Sequence, residues 1–142
     1  MFSPRQLSNI YRQIDVETGV SGASSHQLIT MLFNGALESC MQAHGAMLSG
    51  NIETKCAAIR KCVGIIDEGL KASLNLKDGG EIAQGLHELY TYITIRLTHA
   101  NLRNDPAALE ECTKLLTPIR DAWVAIAPKD AAVVRAAMEV RA

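Results

Sequence analysis

Asp78 to Pro106, DGGEIAQGLHELYTYITIRLTHANLRNDP, is a helix with both boundaries written in its residues. Asp78 and Glu81 have capping-box spacing, so two carboxylates stand where early backbone N–H groups need acceptors. Ile82, Leu86, Leu89, Ile93, Leu97 and Ala100 recur at steps of three and four, which puts them on one stripe. Tyr90 and Tyr92 flank that stripe on either side. Asn104-Asp105-Pro106 closes the segment, because proline disfavours helix in the residue before it and suits the first turn of the next helix.

The same punctuation recurs outward from this segment. A first helix is expected from Ser24, with Gln27 as its capping partner, to about Ser49, where Gly50 is a natural stop. Asn51 can cap a second helix whose stripe is Ile52, Cys56, Ile59, Val63, Ile66, Leu70 and Leu74. A fourth opens at Asp105-Pro106 and carries Leu109, Cys112, Leu116, Ile119, Trp123 and Ile126 before Pro128 ends it. Helices of ~22 to 25 residues are roughly 33 to 38 Å long, and short turns between matched helices fold them back antiparallel. The expected fold is all-α, an up-down four-helix bundle over residues 24–128. An N-terminal arm, 1–23, precedes it, and a tail, 129–142, has helical potential but too short a pattern to settle its order. On the solvent faces, Asp67 with Lys71 and Glu110 with Lys114 have the i,i+4 spacing of weak ion pairs.

Several fragments, in this order, resemble the FliS-type flagellar export chaperones. They are Tyr11, Leu28–Ala36 (LITMLFNGA), Ile65-Ile66, Gly79-Gly80-Glu81, Leu89-Tyr90-Thr91-Tyr92, Ala100-Asn101, Leu115-Leu116 and Arg120-Asp121-Ala122-Trp123. The resemblance covers roughly residues 10–127. The sequence departs from that family's pattern at Asn34, where an Asp is usual, near Ser25, where a Pro is usual, and in a longer Gly19–Ala23 segment. The resemblance implies a cytoplasmic chaperone that binds the C-terminal segment of flagellin, prevents its premature polymerisation and keeps it competent for flagellar type III secretion. It also implies encounters with an anti-sigma factor and the export platform, and gives functional weight to Tyr11.

Composition bounds the alternatives. Hydrophobic residues make up 48% of the 142 but aromatics only 4%, so the core is aliphatic, which favours helices over a β-sandwich. A net charge of −1 supplies no basic stripe for a phosphate backbone, so nucleic acid is not an expected partner. Met1–Arg5 starts no apolar leader and no run reaches membrane-spanning length, so no membrane insertion is expected. Cys40, Cys56, Cys62 and Cys112 form no C-x-x-C pair and read as free thiols within helical patterns.

Chemistry finds no foothold. His26, His44, His87 and His99 are scattered, and no Glu has a His three residues on, so a bundle metal site is not expected. His87-Glu88-Leu89 has the outline of a phosphotransfer histidine. Tyr90 and Thr91 stand where the lysine and small glycine of such a site belong. No catalytic or metal residue is assigned, and a monomer or weak dimer without cofactor is expected. A helical adaptor for another client, or less favourably a phosphotransfer bundle, is the alternative function.

The apolar surplus is the remaining signal. Leu28, Ile29, Met31, Leu32, Phe33, Ala36, Leu37, Cys40 and Met41 cover more of the first helix than one stripe buries. Either the arm and tail cover the excess, or a partner helix does. Ile10, Tyr11 and Ile14 give the arm an apolar edge, so it reads as a gate. The candidate client-binding or gating residues are therefore Ile10, Tyr11, Ile14, Leu28, Met31, Phe33, Tyr90 and Tyr92. Gly35, Gly45, Gly64, Gly69 and Gly85 lie inside expected helices, and each marks either a close helix approach or a shallow groove.

Overall fold

The computed structural model of the chain describes residues 21–126, and the long elements among them are all helices. Helix α1 spans Ser21–Ser49, α2 Ile52–Gly64, α3 Gly80–Arg103 and α4 Pro106–Ala125. A π-helical turn, Ile65–Lys71, prolongs α2 without interruption. Helix α1 packs against α2 and α4, and α3 packs against α4, α2 and the π turn. The all-α, four-helix architecture expected from the periodicity is the observed one.

Most corners follow from single residues. Gly50 takes φ +77, its N–H reaches the Met47 carbonyl at 3.3 Å, and the Asn51 N–H reaches that of Ala46 at 2.9 Å. That paired closure caps the C-terminus of α1. Asn51 Oδ1 then accepts from Thr54 N at 3.2 Å and starts α2. At the far corner Asn104 adopts the left-handed region, φ 50, while Asp105 Oδ1 accepts from Ala107 N at 3.1 Å and Pro106 opens α4. Lys55, only 4% exposed, strengthens this corner. Its ammonium donates to the Asn101 carbonyl at 3.0 Å and to Asn104 Oδ1 at 2.7 Å, a cation at the negative end of α3.

Two helix starts differ from the sequence reading. The backbone is already helical at Ser21, so Ser24 lies inside α1 and not at its cap. Gly79 holds the N-cap position of α3, one residue beyond Asp78. Asn75 and Asp78 instead form a turn of their own, in which the Asp78 N–H donates to Asn75 Oδ1 at 2.9 Å. Ile82, expected on the stripe, is 64% exposed. Ala83, Tyr90, Ile93, Thr94, Leu97 and Ala100 form the buried face of α3. Ala58, Ile59, Cys62, Ile65, Ile66, Gly69, Leu70 and Leu74 are buried, whereas Ile52 at the head of the expected stripe is exposed. Ile59, Ile66, Leu70 and Leu74 of the expected stripe all belong to this face, so the stripe holds across the π turn. At Gly69 the close approach is evident, since a Cβ there would stand 2.7 Å from Leu32 Cδ2.

The core is aliphatic with three thiols inside it, and all four cysteines are free. Cys62 donates to the Ala36 carbonyl at 3.3 Å, Cys40 to Leu109 at 3.3 Å, and Cys112 to Ile93 at 3.7 Å. Each thiol thus reaches a neighbouring helix. Tyr90 belongs to this core and does not flank it. Its ring is fully buried, and its hydroxyl has no hydrogen-bond partner among the described residues. A buried unpaired hydroxyl costs about 1–3 kcal/mol, so Tyr90→Phe is expected to leave stability unchanged or to raise it by up to about 1 kcal/mol. A urea midpoint lowered in the variant would show that the hydroxyl has a partner.

Candidate functional site

The row Met31, Asn34, Glu38, Met41, Gly45 and Leu48 steps by three and four along α1, away from the core face. Met31, Met41 and Leu48 are all exposed, Met41 by 64%. Across from it, α4 presents Glu110, Thr113, Thr117, Arg120 and Val124 at the same kind of spacing. Between these rows runs a groove. Its larger hollow, about 390 Å³, is mostly apolar and is lined by Met41, His44, Gly45, Leu109, Glu110, Thr113 and Lys114. A second of about 200 Å³ shares Met41 and Thr113 with it and continues toward Asn34 and Arg120.

Polar contacts bracket the groove at its two ends. His44 Nε2 lies 3.6 Å from Glu110 Oε1 at one end. At the other, Arg120 Nη1 donates to Asn34 Oδ1 at 2.9 Å, while its Nε is held by neighbouring Asp121 at 2.7 Å. The expected Glu110–Lys114 pair is not the one formed. Glu110 turns across the groove to α1, whereas Asp67–Lys71 does form, at 3.9 Å. Beyond Arg120 the two helices are clasped. His26 Nε2 donates to the Trp123 carbonyl at 2.8 Å, Trp123 Nε1 donates to the His26 carbonyl at 3.1 Å, and the rings stack at 5.0 Å.

The candidate residues named from sequence are dispersed by the fold. Phe33 and Tyr90 are wholly inside the core, Leu28 is half-buried and Met31 is exposed. Tyr92 sits on the outer side of α3, where its hydroxyl donates to Glu111 Oε2 at 2.6 Å and Arg96 Nε donates to Oε1 at 2.7 Å. Those two donors, Tyr92 first, hold the Glu111 carboxyl below its ordinary range. Ile10, Tyr11 and Ile14 lie outside the described residues. The contribution of α4 to the groove was not visible in sequence, although Met41 and Gly45 had been marked there as surplus apolar surface and as an unexplained glycine. Among the described residues no group of three His, Cys, Asp or Glu side chains is placed to hold a metal. No described helix is long and apolar enough to cross a membrane.

Comparison with known proteins is decisive for the family. The profile described as "Flagellar protein FliS" matches residues 7–130. The chain belongs to the FliS family. The flagellar secretion chaperone FliS of Salmonella typhimurium strain LT2 is 49% identical over 84% of this chain and 88% of its own length. That of Escherichia coli strain K12 is 43% identical over 80% of this chain and 83% of its own. A more distant relative, from Bacillus subtilis strain 168, is 32% identical over 80% of each. FliS proteins are chaperones, which is not an enzyme class. The groove of this FliS-family bundle offers apolar surface with charged margins. Where a phosphotransfer site would require a lysine after His87, this FliS-family chain has the buried Tyr90.

Proposed function

We propose that this chaperone acts in the cytoplasm on flagellin, holding its C-terminal segment so that it neither polymerises nor folds before flagellar type III export. The match to flagellar secretion chaperones across residues 7–130 carries the reading. The structure supplies a rigid helical scaffold with exposed apolar side chains, the kind of surface on which a disordered amphipathic segment gains order and contact together. No chemistry is required of the chaperone: covering the client is the activity. Calorimetry with flagellin, and with flagellin lacking its C-terminal segment, tests this directly. Truncation is expected to abolish binding, a loss of at least about 100-fold for removal of an entire docking element. Equal affinity for the two forms would refute the flagellin C-terminal reading and leave an adaptor for a different client.

The arm enters as a gate on this activity. Ile10, Tyr11 and Ile14 occupy the apolar surface in the free chaperone and leave it when the client arrives, so a closed fraction lowers apparent affinity in proportion. Deleting residues 1 to about 18 is expected to speed client association severalfold. Tyr11→Ala is expected to act in the same direction. Hydrogen exchange of the arm, with and without the flagellin segment, is the direct measurement. Unchanged protection, rate and affinity would make the arm a passive leader.

A further inference from the structure

We infer that the chain's own tail, residues 129–142, folds back as a short amphipathic helix and covers the Met31 to Met41 stretch of the seam between α1 and α4. The inference concerns the free chaperone and does not depend on what its client is. Exposed apolar side chains are the first observation. Met31 is 46% exposed, Met41 64% and Val124 49%. Beside Met41 lies the smaller hollow, about 200 Å³, with Leu37, Glu38 and Thr117 among its lining. Apolar surface gathered in this way marks a place that something covers.

The second observation is where α4 ends. The Ile126 N–H closes the helix on the Trp123 carbonyl at 3.2 Å, and Ile126 itself has extended backbone, φ −78 and ψ 127. Trp123 is clasped to His26, so the chain leaves α4 at the foot of the seam, next to exposed Val124. Of the two segments able to cover the excess, the arm runs into the head of α1 and the tail is delivered onto the α4 wall. Pro128 breaks the helical path, and Asp130 suits the cap of a new helix.

Length and pattern fit the seam. Residues 131–141 as a helix span about 16 Å, and Met31 to Met41 span about 15 Å along α1. Val133, Ala137 and Val140 step by four and three along one face, with Val134 and Met138 beside them and Arg135 and Glu139 opposite. A helix this short is marginal alone in water, so its apolar face needs a surface to pack on. Charge agrees with the placement. Glu38 is exposed and has no ion-pair partner among the described residues, while Arg120 is held by Asn34 and Asp121. Arg141 continues the row of Val134 and Met138 at the edge of the apolar face. With the tail laid from Met31 toward Met41, it comes within a helical turn of Glu38, where opposite charge favours this direction.

Hydrogen exchange of the full-length chain, without client, tests the placement. Amides of residues 131–141 are expected to exchange at least about tenfold more slowly than in an unfolded chain. Val133→Asp together with Val140→Asp is expected to return them to the unfolded rate. Met41→Asp, on the bundle, is expected to remove most of the protection. Glu38→Arg is expected to weaken it about twofold to threefold, and adding Arg141→Glu to recover that loss. Tail amides exchanging at the unfolded rate in the parent would overturn the inference. So would protection that survives Met41→Asp in a chain that is still helical, because the tail would then rest elsewhere. Protection that appears only as concentration rises would give the seam to the tail of a second copy, and equally overturn it.

Discussion

Replacing Trp123 by alanine is expected to destabilise the chain by about 3–5 kcal/mol, the range for deleting a large core aromatic. The indole is 3% exposed. It stacks on His26 with ring centroids 5.0 Å apart and donates to the His26 carbonyl at 3.1 Å, so the deletion removes packing, stacking and a hydrogen bond together. A domain of ordinary stability has about 5–15 kcal/mol to lose, and the variant is expected to unfold at much lower urea. Trp123→Phe keeps a ring against His26 but not the donor, and is expected to cost only about 1–2 kcal/mol. Urea unfolding of the three proteins measures both steps. A native emission maximum typical of water-exposed tryptophan, or an alanine variant within about 1 kcal/mol of the parent, contradicts this role.

High pH is expected to unfold the bundle from within. Cys40, Cys62, Cys112 and Tyr90 are acids kept neutral by burial. Burial pushes Cys62 well above the ordinary thiol value of 9.0, Cys112 up to about 12, and Cys40 and Tyr90 upward as well. Below pH 9 the folded and unfolded chains bind the same thiol protons and this contribution is fully present. Between about pH 9 and 12 the unfolded chain releases protons that the folded chain keeps, so stability falls as pH rises. Cys112 contributes to that slope by up to ~1.4 kcal/mol per pH unit for as long as the folded chain keeps its proton. Urea midpoints followed from about pH 7 to about pH 11 are expected to stay level and then drop. Cys112→Ala is expected to start lower, because it leaves a cavity, but to fall less steeply. An unchanged slope in that variant would show that the thiol is not the acid being titrated.

What sequence made legible here was chiefly local. Gly50, Asn51 and Asp105-Pro106 mark corners because a cap or a left-handed residue acts within a few positions of itself. The stripe of α4 was read nearly as it stands for the same reason, with Leu109, Cys112, Leu116 and Trp123 all buried. Two local features escaped the reading: the Asn75–Asp78 turn, which displaced the cap of α3 by one residue, and the π turn, across which the expected Ile66, Leu70 and Leu74 are nonetheless buried. Tertiary partners were out of reach. Glu110 chose His44 on another helix over Lys114 on its own, and Lys55 was buried by carbonyl and amide acceptors on α3. The candidate groove was half visible, since α1 announced its excess of apolar surface while the wall it faces across space belongs to α4.

That pairing of first helix with last has a kinetic consequence. The His26–Trp123 clasp joins residues 97 apart, a separation at which loop closure carries an entropic cost of several kcal/mol, whereas the α1–α2 and α3–α4 turns close locally. The local hairpins are therefore the early structures, and the seam between α1 and α4 is the late one. Since the groove is that seam, it does not exist in a partly folded or partly synthesised chain. A nascent chain still lacking α4 has only one wall of this groove, and the second forms only once synthesis has passed Trp123.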